Sequence, residues 1–296
     1  MMENATPYAV KLVDQRTGDA ALNLSTFGEV GDFASPRQYP CFSMLLVLRG
    51  VGFAIRDGAE YEFNEPALLT FSLYQTMMIR SKGEFKGILI QFTPSFFCLF
   101  KHRQDVSCNG VLFNNLYDTP LVRLTPAEAD AQVMLTKQMR DEMNGHSDPD
   151  QDVLISYLKI FLINASRIKI DQQKEAVETQ AAAPLATALK EEIEVHFRKI
   201  HNASGYAGLL HSTTSTLNRL SKLHFKKTLT NLIADRLIIE AKRELYLTAK
   251  PVKEIAFELG YDDEFYFSRF FRRQTGISPQ TFRNTIGLYP AKTGGY

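Results

Sequence analysis

The sequence predicts a two-domain protein: a β-rich barrel followed by two helices, then an all-helical module with two helix-turn-helix units. Three observations predict this. Short apolar runs separated by turn signals fill residues 8–100, the pattern of a sandwich or barrel. From Thr125 the apolar period becomes helical. After Pro184 one helical block occurs twice: Tyr206, Ala207, Leu210, Leu217 and Arg219 match Ile255, Ala256, Leu259, Phe267 and Arg269.

In the β region, Phe42–Leu48 is an apolar run ending at Arg49-Gly50. Gly52–Arg56 and Glu60–Phe63 flank Asp57-Gly58, a two-residue hairpin signal. Leu68–Leu73, Thr76–Arg80 and Lys86–Phe92 continue the pattern. Small barrels are filled by side chains, and Met44, Phe53, Ile55, Tyr61, Phe71 and Phe92 are the expected interior positions. Of these, Met44, Phe53, Tyr61, Phe71 and Phe92 are the candidate contacts for a small organic effector.

Thr125 caps the next helix, with Pro126 at its first position. Val133, Leu135, Met139 and Met143 share a face, and Asn144-Gly145 closes the helix. A second helix is expected over about 151–170, with Val153, Leu154, Tyr157, Leu158, Phe161 and Leu162 apolar. So wide a stripe serves either a dimer surface or burial against the β domain. Residues 171–183 hold no large apolar cluster and read as a linker. The expected divisions are therefore 1–170, 171–183 and 184–296.

Net charge over all 296 residues is only +1, but it is unevenly spread. Residues 184–296 hold 17 Lys+Arg against 11 Asp+Glu, a net of +6, which leaves −5 on the remainder. A basic module beside an acidic one is the asymmetry expected when one end meets nucleic acid. Cys41, Cys98 and Cys108 are an odd set without metal-like spacing and read as small buried residues. No basic segment leads into an apolar one at the N-terminus and no apolar run is long enough to span a bilayer, so the expected location is the cytoplasm.

The second block, Pro251–Arg283, carries the chemistry. Val252, Ile255, Ala256 and Leu259 fall at i, i+3, i+4 and i+7, one apolar face of a short helix. Gly260 ends that helix and Asp262 or Asp263 caps the next. With Phe267, Phe270 and Phe271 inward, helical geometry turns Phe265, Ser268, Arg269, Arg272 and Arg273 outward, with Glu264 the nearby acid. Arginines on an exposed face suit a major groove, where they read guanine or hold phosphates. Phe265 is placed to touch a thymine methyl. In the first block Ser212 or Thr213 is the cap and Leu217 and Leu220 face inward. Ser215, Asn218, Arg219 and Lys222 face outward, with Thr214 at the helix start. Asn218 is suited to adenine, Arg219 to guanine and Lys222 to phosphate.

Residues 184–290 resemble the DNA-binding domain of the AraC/XylS family of bacterial regulators. The matching segments are LNRLSK (217–222), RLIIEAKREL (236–245), VKEIAFELGY (252–261) and FYFSRFFRRQTGISPQTFR (265–283). The resemblance implies two helix-turn-helix units joined by a long helix, each with a recognition helix in a major groove. It places base reading at Ser215, Asn218 and Arg219, and at Phe265, Tyr266 and Arg269. The chain departs from the family at Phe225-Lys226, where Thr-Gly is usual, at Ser221, usually apolar, and at His211, which stands where Gly260 stands in the second unit. His211 is read as structural, because His tolerates positive φ better than most residues.

The β-rich region with its two helices is similar to the cupin-like sensor and dimerisation domain common in that family. The chain's six histidines, His102, His146, His196, His201, His211 and His224, all lie outside the strand region, so no cupin-type metal site is expected. Asp57 and Glu84 read as turn residues rather than catalysts. The expected protein is a transcription regulator and not an enzyme, with no cofactor. Its expected partners are promoter DNA, RNA polymerase, a second copy and a small-molecule effector, and its expected mode is activation. The alternatives are a cupin-like enzyme with an appended DNA-binding domain, and an architectural DNA binder without ligand control.

Overall fold

A computed structural model describes residues 7–14, 18–99, 110–145, 149–179 and 184–289. His102, Cys108, His146 and the 180–183 part of the expected linker lie outside these. The chain divides into two compact units: Met1–Asn115 with Thr119–Ala176, and Leu116–Asp118 with Val177–Tyr296.

The first unit is built on a seven-stranded antiparallel sheet. Its strands are β1 (Ala9–Val13), β2 (Ala20–Phe27), β3 (Phe42–Arg56), β4 (Ala59–Phe63), β5 (Ala67–Phe71), β6 (Met77–Phe92) and β7 (Leu121–Arg123). The hydrogen-bonded order is β1-β2-β6-β3-β5-β7, with β4 on β3. β3 and β6 form the spine, paired from Phe42↔Phe92 to Arg56↔Met77. β5 covers the first part of β3 and β4 the second.

Each of the two spine strands was expected as two. Arg49-Gly50 does not end β3, because the register shifts between Val47, Arg49 and Val51 absorb the irregularity as bulges. The alternation breaks there, which is why the sequence reads as a boundary. Asp57-Gly58 is the expected hairpin turn, with both residues at positive φ, 50° and 80°. Asp57 is a turn residue as expected: its carboxylate accepts from Thr76 N at 3.0 Å and Gln75 Nε2 at 2.7 Å.

One core cluster on the sheet gathers Phe33, Leu45, Val47, Ala54, Phe63, Leu69, Phe71, Met77, Ile79 and Phe85. Of the expected interior set only Phe71 belongs to this cluster. Strand side chains alternate between faces, so Met44 and Phe92 lie opposite Leu45 and Phe71. Phe92 packs with Phe42, Phe97 and Phe113 instead. Tyr61 pairs with Ala54 and is buried. Phe53 is corrected to an outer position: it is 37% exposed, and the Arg80 guanidinium lies 5.9 Å from its ring.

Helix α1 (Pro126–Gly145) opens on a capping box. Thr125 N donates to Glu128 Oε2 at 2.7 Å and Glu128 N to Thr125 Oγ1 at 3.3 Å. Its buried stripe is Ala129, Gln132, Thr136 and Met139; of the expected face Met139 is buried, while Val133, Leu135 and Met143 are half-buried. Two polar residues can be buried because each finds an acceptor: Gln132 donates to Phe161 O and Thr136 to Val133 O. Helix α2 (Gln151–Thr179) buries Leu154, Leu158, Phe161, Leu162 and Ala165. It runs nine residues beyond its expected end at Ile170.

The second unit is helical: α3 (Pro184–His196), α4 (Ala203–Leu209), α5 (Thr214–Phe225), α6 (Leu229–Leu247), α7 (Val252–Glu258), α8 (Glu264–Thr275) and α9 (Pro279–Ile286). The long α6 is the hub, burying Leu232, Ile233, Leu237, Ile238 and Ala241 as its pattern requires. Among the described residues no helix is long and apolar enough to cross a membrane.

Candidate nucleic-acid interface

Each repeat is a short helix, a tight turn and a capped second helix. In the second repeat α7 buries Val252, Ile255 and Ala256. Gly260 then turns the chain at φ 80°. A Cβ there would lie 2.0 Å from the Arg198 carbonyl oxygen, so no other residue fits without moving backbone. Asp263 is the cap of α8: its carboxylate accepts from Phe265 N at 2.9 Å and Tyr266 N at 3.2 Å. In the first repeat Thr213 caps α5, accepting from Thr216 N at 3.1 Å. His211 makes the turn at φ 45°, as expected of a structural residue.

In α8 the buried side chains are Phe267, Phe271 and Thr275. The opposite face carries Phe265, 72% exposed, and Tyr266, 58% exposed, with Arg269, Arg272 and Arg273 also in solvent. Glu264 and Ser268 are half-buried at the edge of this face. Water-exposed aromatic rings at a helix start are unusual, because burial would return their transfer energy. Tyr266 leans on Tyr261, which packs on Phe267 and Phe270. The Arg269 guanidinium lies 6.0 Å from the Tyr266 ring and 3.9 Å from Asp263 Oδ2.

In α5, Leu217 and Ser221 are fully buried. Thr214, Ser215, Arg219 and Lys222 are exposed. Ser221 sits in the core by donating to Lys227 O at 2.7 Å, which accounts for a hydroxyl at an apolar position. Asn218 differs from its neighbours. It is half-buried, and its Oδ1 accepts from Leu229 N at 3.1 Å. Bidentate contact with adenine uses both the oxygen and the nitrogen of an Asn amide. The adenine contact expected of Asn218 therefore competes with a bond already made inside the fold.

Two features escaped the sequence reading. Asp263 is both cap and counter-charge to Arg269, a relation visible in sequence only as an acid six residues before an arginine. Buried Glu240 on α6 binds three arginines: Arg198 and Arg243 at 2.6 Å, and Arg236 at 3.1 Å. Arg236 also pairs with Glu194 of α3 at 2.8 Å and lies 3.8 Å from the Phe197 ring. This network ties α3 to α6: Arg236, Glu240 and Arg243 are helical neighbours, but Glu194 and Arg198 stand 42 residues from their partners.

Comparison with known proteins places these repeats. The family described as "Helix-turn-helix domain" matches residues 206–285. The raffinose operon transcriptional regulatory protein RafR of Pediococcus pentosaceus is 34% identical over 79 residues, 27% of this chain and 28% of that one. The arabinose operon regulatory protein of Escherichia coli K12 is 25% identical over 131 residues, 43% of this chain and 45% of that one. The regulatory protein SoxS of the same strain is 36% identical over 70 residues, 24% of this chain and 65% of that one. The chain thus spans less than two thirds of the length of each of these relatives. The matched region of this chain is a helix-turn-helix domain of the AraC type.

Proposed function

We propose that this chain is a sequence-specific DNA-binding transcription regulator that sets α5 and α8 into successive major grooves. The observation that carries the reading is the repeated register of two arginines. Arg219 and Arg269 stand at the same place on two capped helices, both exposed, on the basic part of the chain. In this reading Arg269 and Arg219 pair with guanine edges, and Lys222, Arg272 and Arg273 meet phosphates. Phe265 and Tyr266 supply apolar contact, with Thr214, Ser215, Glu264 and Ser268 completing the surface. Helices of this kind read sites about one helical turn apart, roughly 34 Å.

The names of two relatives connect them with the raffinose and arabinose operons. By that likeness the chain acts at a promoter, in the cytoplasm, with RNA polymerase as a partner. Residues 1–170 serve as the dimerisation and sensing part, 171–183 as the connection and 184–296 as the DNA-binding part. An effector would have to be met from one face of the sheet, so Met44 with Phe92, or Tyr61 with Phe71, are alternative sets.

The test is a mobility-shift titration of the full chain against promoter DNA flanking its own gene. Truncating an arginine that pairs with guanine should cost about 1–3 kcal/mol and relax preference at one base pair. Binding that ignores Arg219→Ala together with Arg269→Ala contradicts these roles.

A further inference from the structure

We propose that Asn218 is a positioning residue. Its amide oxygen fastens recognition helix α5 to the first residue of α6, and it reads no base. This rests on the DNA-binding reading of α5 and sharpens it. Three observations carry it.

The first is the bond itself. Asn218 Oδ1 accepts from Leu229 N at 3.1 Å, joining two helices across eleven residues. The second is the need for it. Leu229 opens α6, so its N–H has no partner within the helix. The Thr228 cap side chain is spent on Asn231 N. The Leu229 residue is fully buried, which leaves little room for water as a substitute.

The third is the other repeat. Thr213 and Asp263 cap α5 and α8, Lys226 and Gly276 end them, and Thr228 and Ser278 cap α6 and α9. Each pair is fifty residues apart. By the same offset Leu229 corresponds to Pro279, which has no N–H, and Asn218 corresponds to Ser268. Donor and acceptor are present together in one unit and are replaced together in the other. A base-reading Asn would have no reason to follow the residue at 229. A helix-fastening Asn would. Base reading by α5 then falls to the exposed Ser215 and Arg219, and Asn218 sets their angle of presentation.

The test uses the full chain and the duplex that wild-type protein selects from a random-sequence library. Asn218→Ala, Leu229→Pro and the double variant are compared. Proline suits position 229: Thr228 is already extended at φ −68° and ψ 154°, and a first helical residue tolerates Pro. The expected result is that Asn218→Ala weakens binding about fivefold, as loss of a cap that keeps α5 in place would. The preferred base stays the same at every position. In the Leu229→Pro background the same change alters affinity less than about twofold, since no donor is left. An equal loss in both backgrounds, or a flattened preference at one base pair, overturns the proposal.

Amide exchange of the unliganded protein reads the bond without DNA and without the proline variant. Leu229 N–H should exchange at least about tenfold faster in Asn218→Ala, since it loses the Asn218 amide oxygen as acceptor. Equal rates overturn the proposal. If the wild-type chain selects no duplex, the DNA-binding reading itself fails, and the exchange rates still decide whether Asn218 holds α6.

Discussion

Lys226 and Gly276 end α5 and α8 in the same left-handed conformation, at φ 60° and φ 81°. Glycine takes that conformation freely, whereas a residue with a Cβ pays for it. His211 and Gly260 repeat the contrast at the turns that precede those helices, at φ 45° and φ 80°. The first repeat therefore carries backbone strain at both ends of α5, and the second carries none there.

Replacing Lys226 by Gly should stabilise the chain by about 0.5–1 kcal/mol, less whatever the more flexible unfolded chain gains. Gly276→Ala should destabilise it by about 1 kcal/mol or more. Thermal unfolding of the two variants checks the pair. Equal and opposite signs to these would show that the left-handed residues are not where the strain lies.

Glu240 is the keystone of the ion network on α6. Burial pushes its carboxyl up, but the bond from Arg236 and the charges of Arg236, Arg243 and Arg198 outweigh burial and hold it below the ordinary value of 4.5. Glu240→Gln should cost about 2–4 kcal/mol, because it leaves arginines facing a neutral group in a buried site. The sign with pH follows from the lowered pKa. The stabilisation is complete above pH 4.5 and is lost as pH falls through the folded value. Acid unfolding of wild type and variant should therefore converge, since the difference between them vanishes once Glu240 is protonated.

His201 gives a second pH dependence, in a milder range. Its ring lies 4.7 Å from Tyr261, beneath the platform on which Tyr266 rests. Burial lowers its pKa below 6.5, partly offset by the Leu259 and Arg198 carbonyls. The unfolded chain then takes up the proton first as pH falls, so stability declines from pH 6.5 downward. His201→Phe keeps a ring against Tyr261 and cannot titrate. Its stability should be flatter than wild type between about pH 7 and pH 5. An unchanged slope would assign the effect to another group.

The helical half was the more legible in sequence, for a physical reason. Its determinants are local: the caps at Thr213, Asp263 and Ser278 and the turn at Gly260 act on their immediate neighbours. The apolar faces of α6 and α8 follow from spacing alone. Asn218 shows where this stops. Its place on the outer face was legible, but its bond to Leu229 depends on how α5 meets α6. The sheet was less legible because pairing is non-local. β7 is three residues long, β1 and β2 have apolar runs too short to stand out although Gly18 turns between them at φ 74°, and the bulges in β3 reset the alternation that misplaced Phe53. Gln132 and Thr136 mark the same limit in α1, since burial of a polar residue depends on an acceptor that only the fold supplies.

The central claim is that one chain reads DNA through two helices of equal register. Hydroxyl-radical footprinting on the selected duplex tests it most directly. The predicted result is two protected stretches on one face, about 10 base pairs apart, with Arg219→Ala erasing preference in one stretch and Arg269→Ala in the other. A single protected stretch, or two that ignore both substitutions, would contradict it.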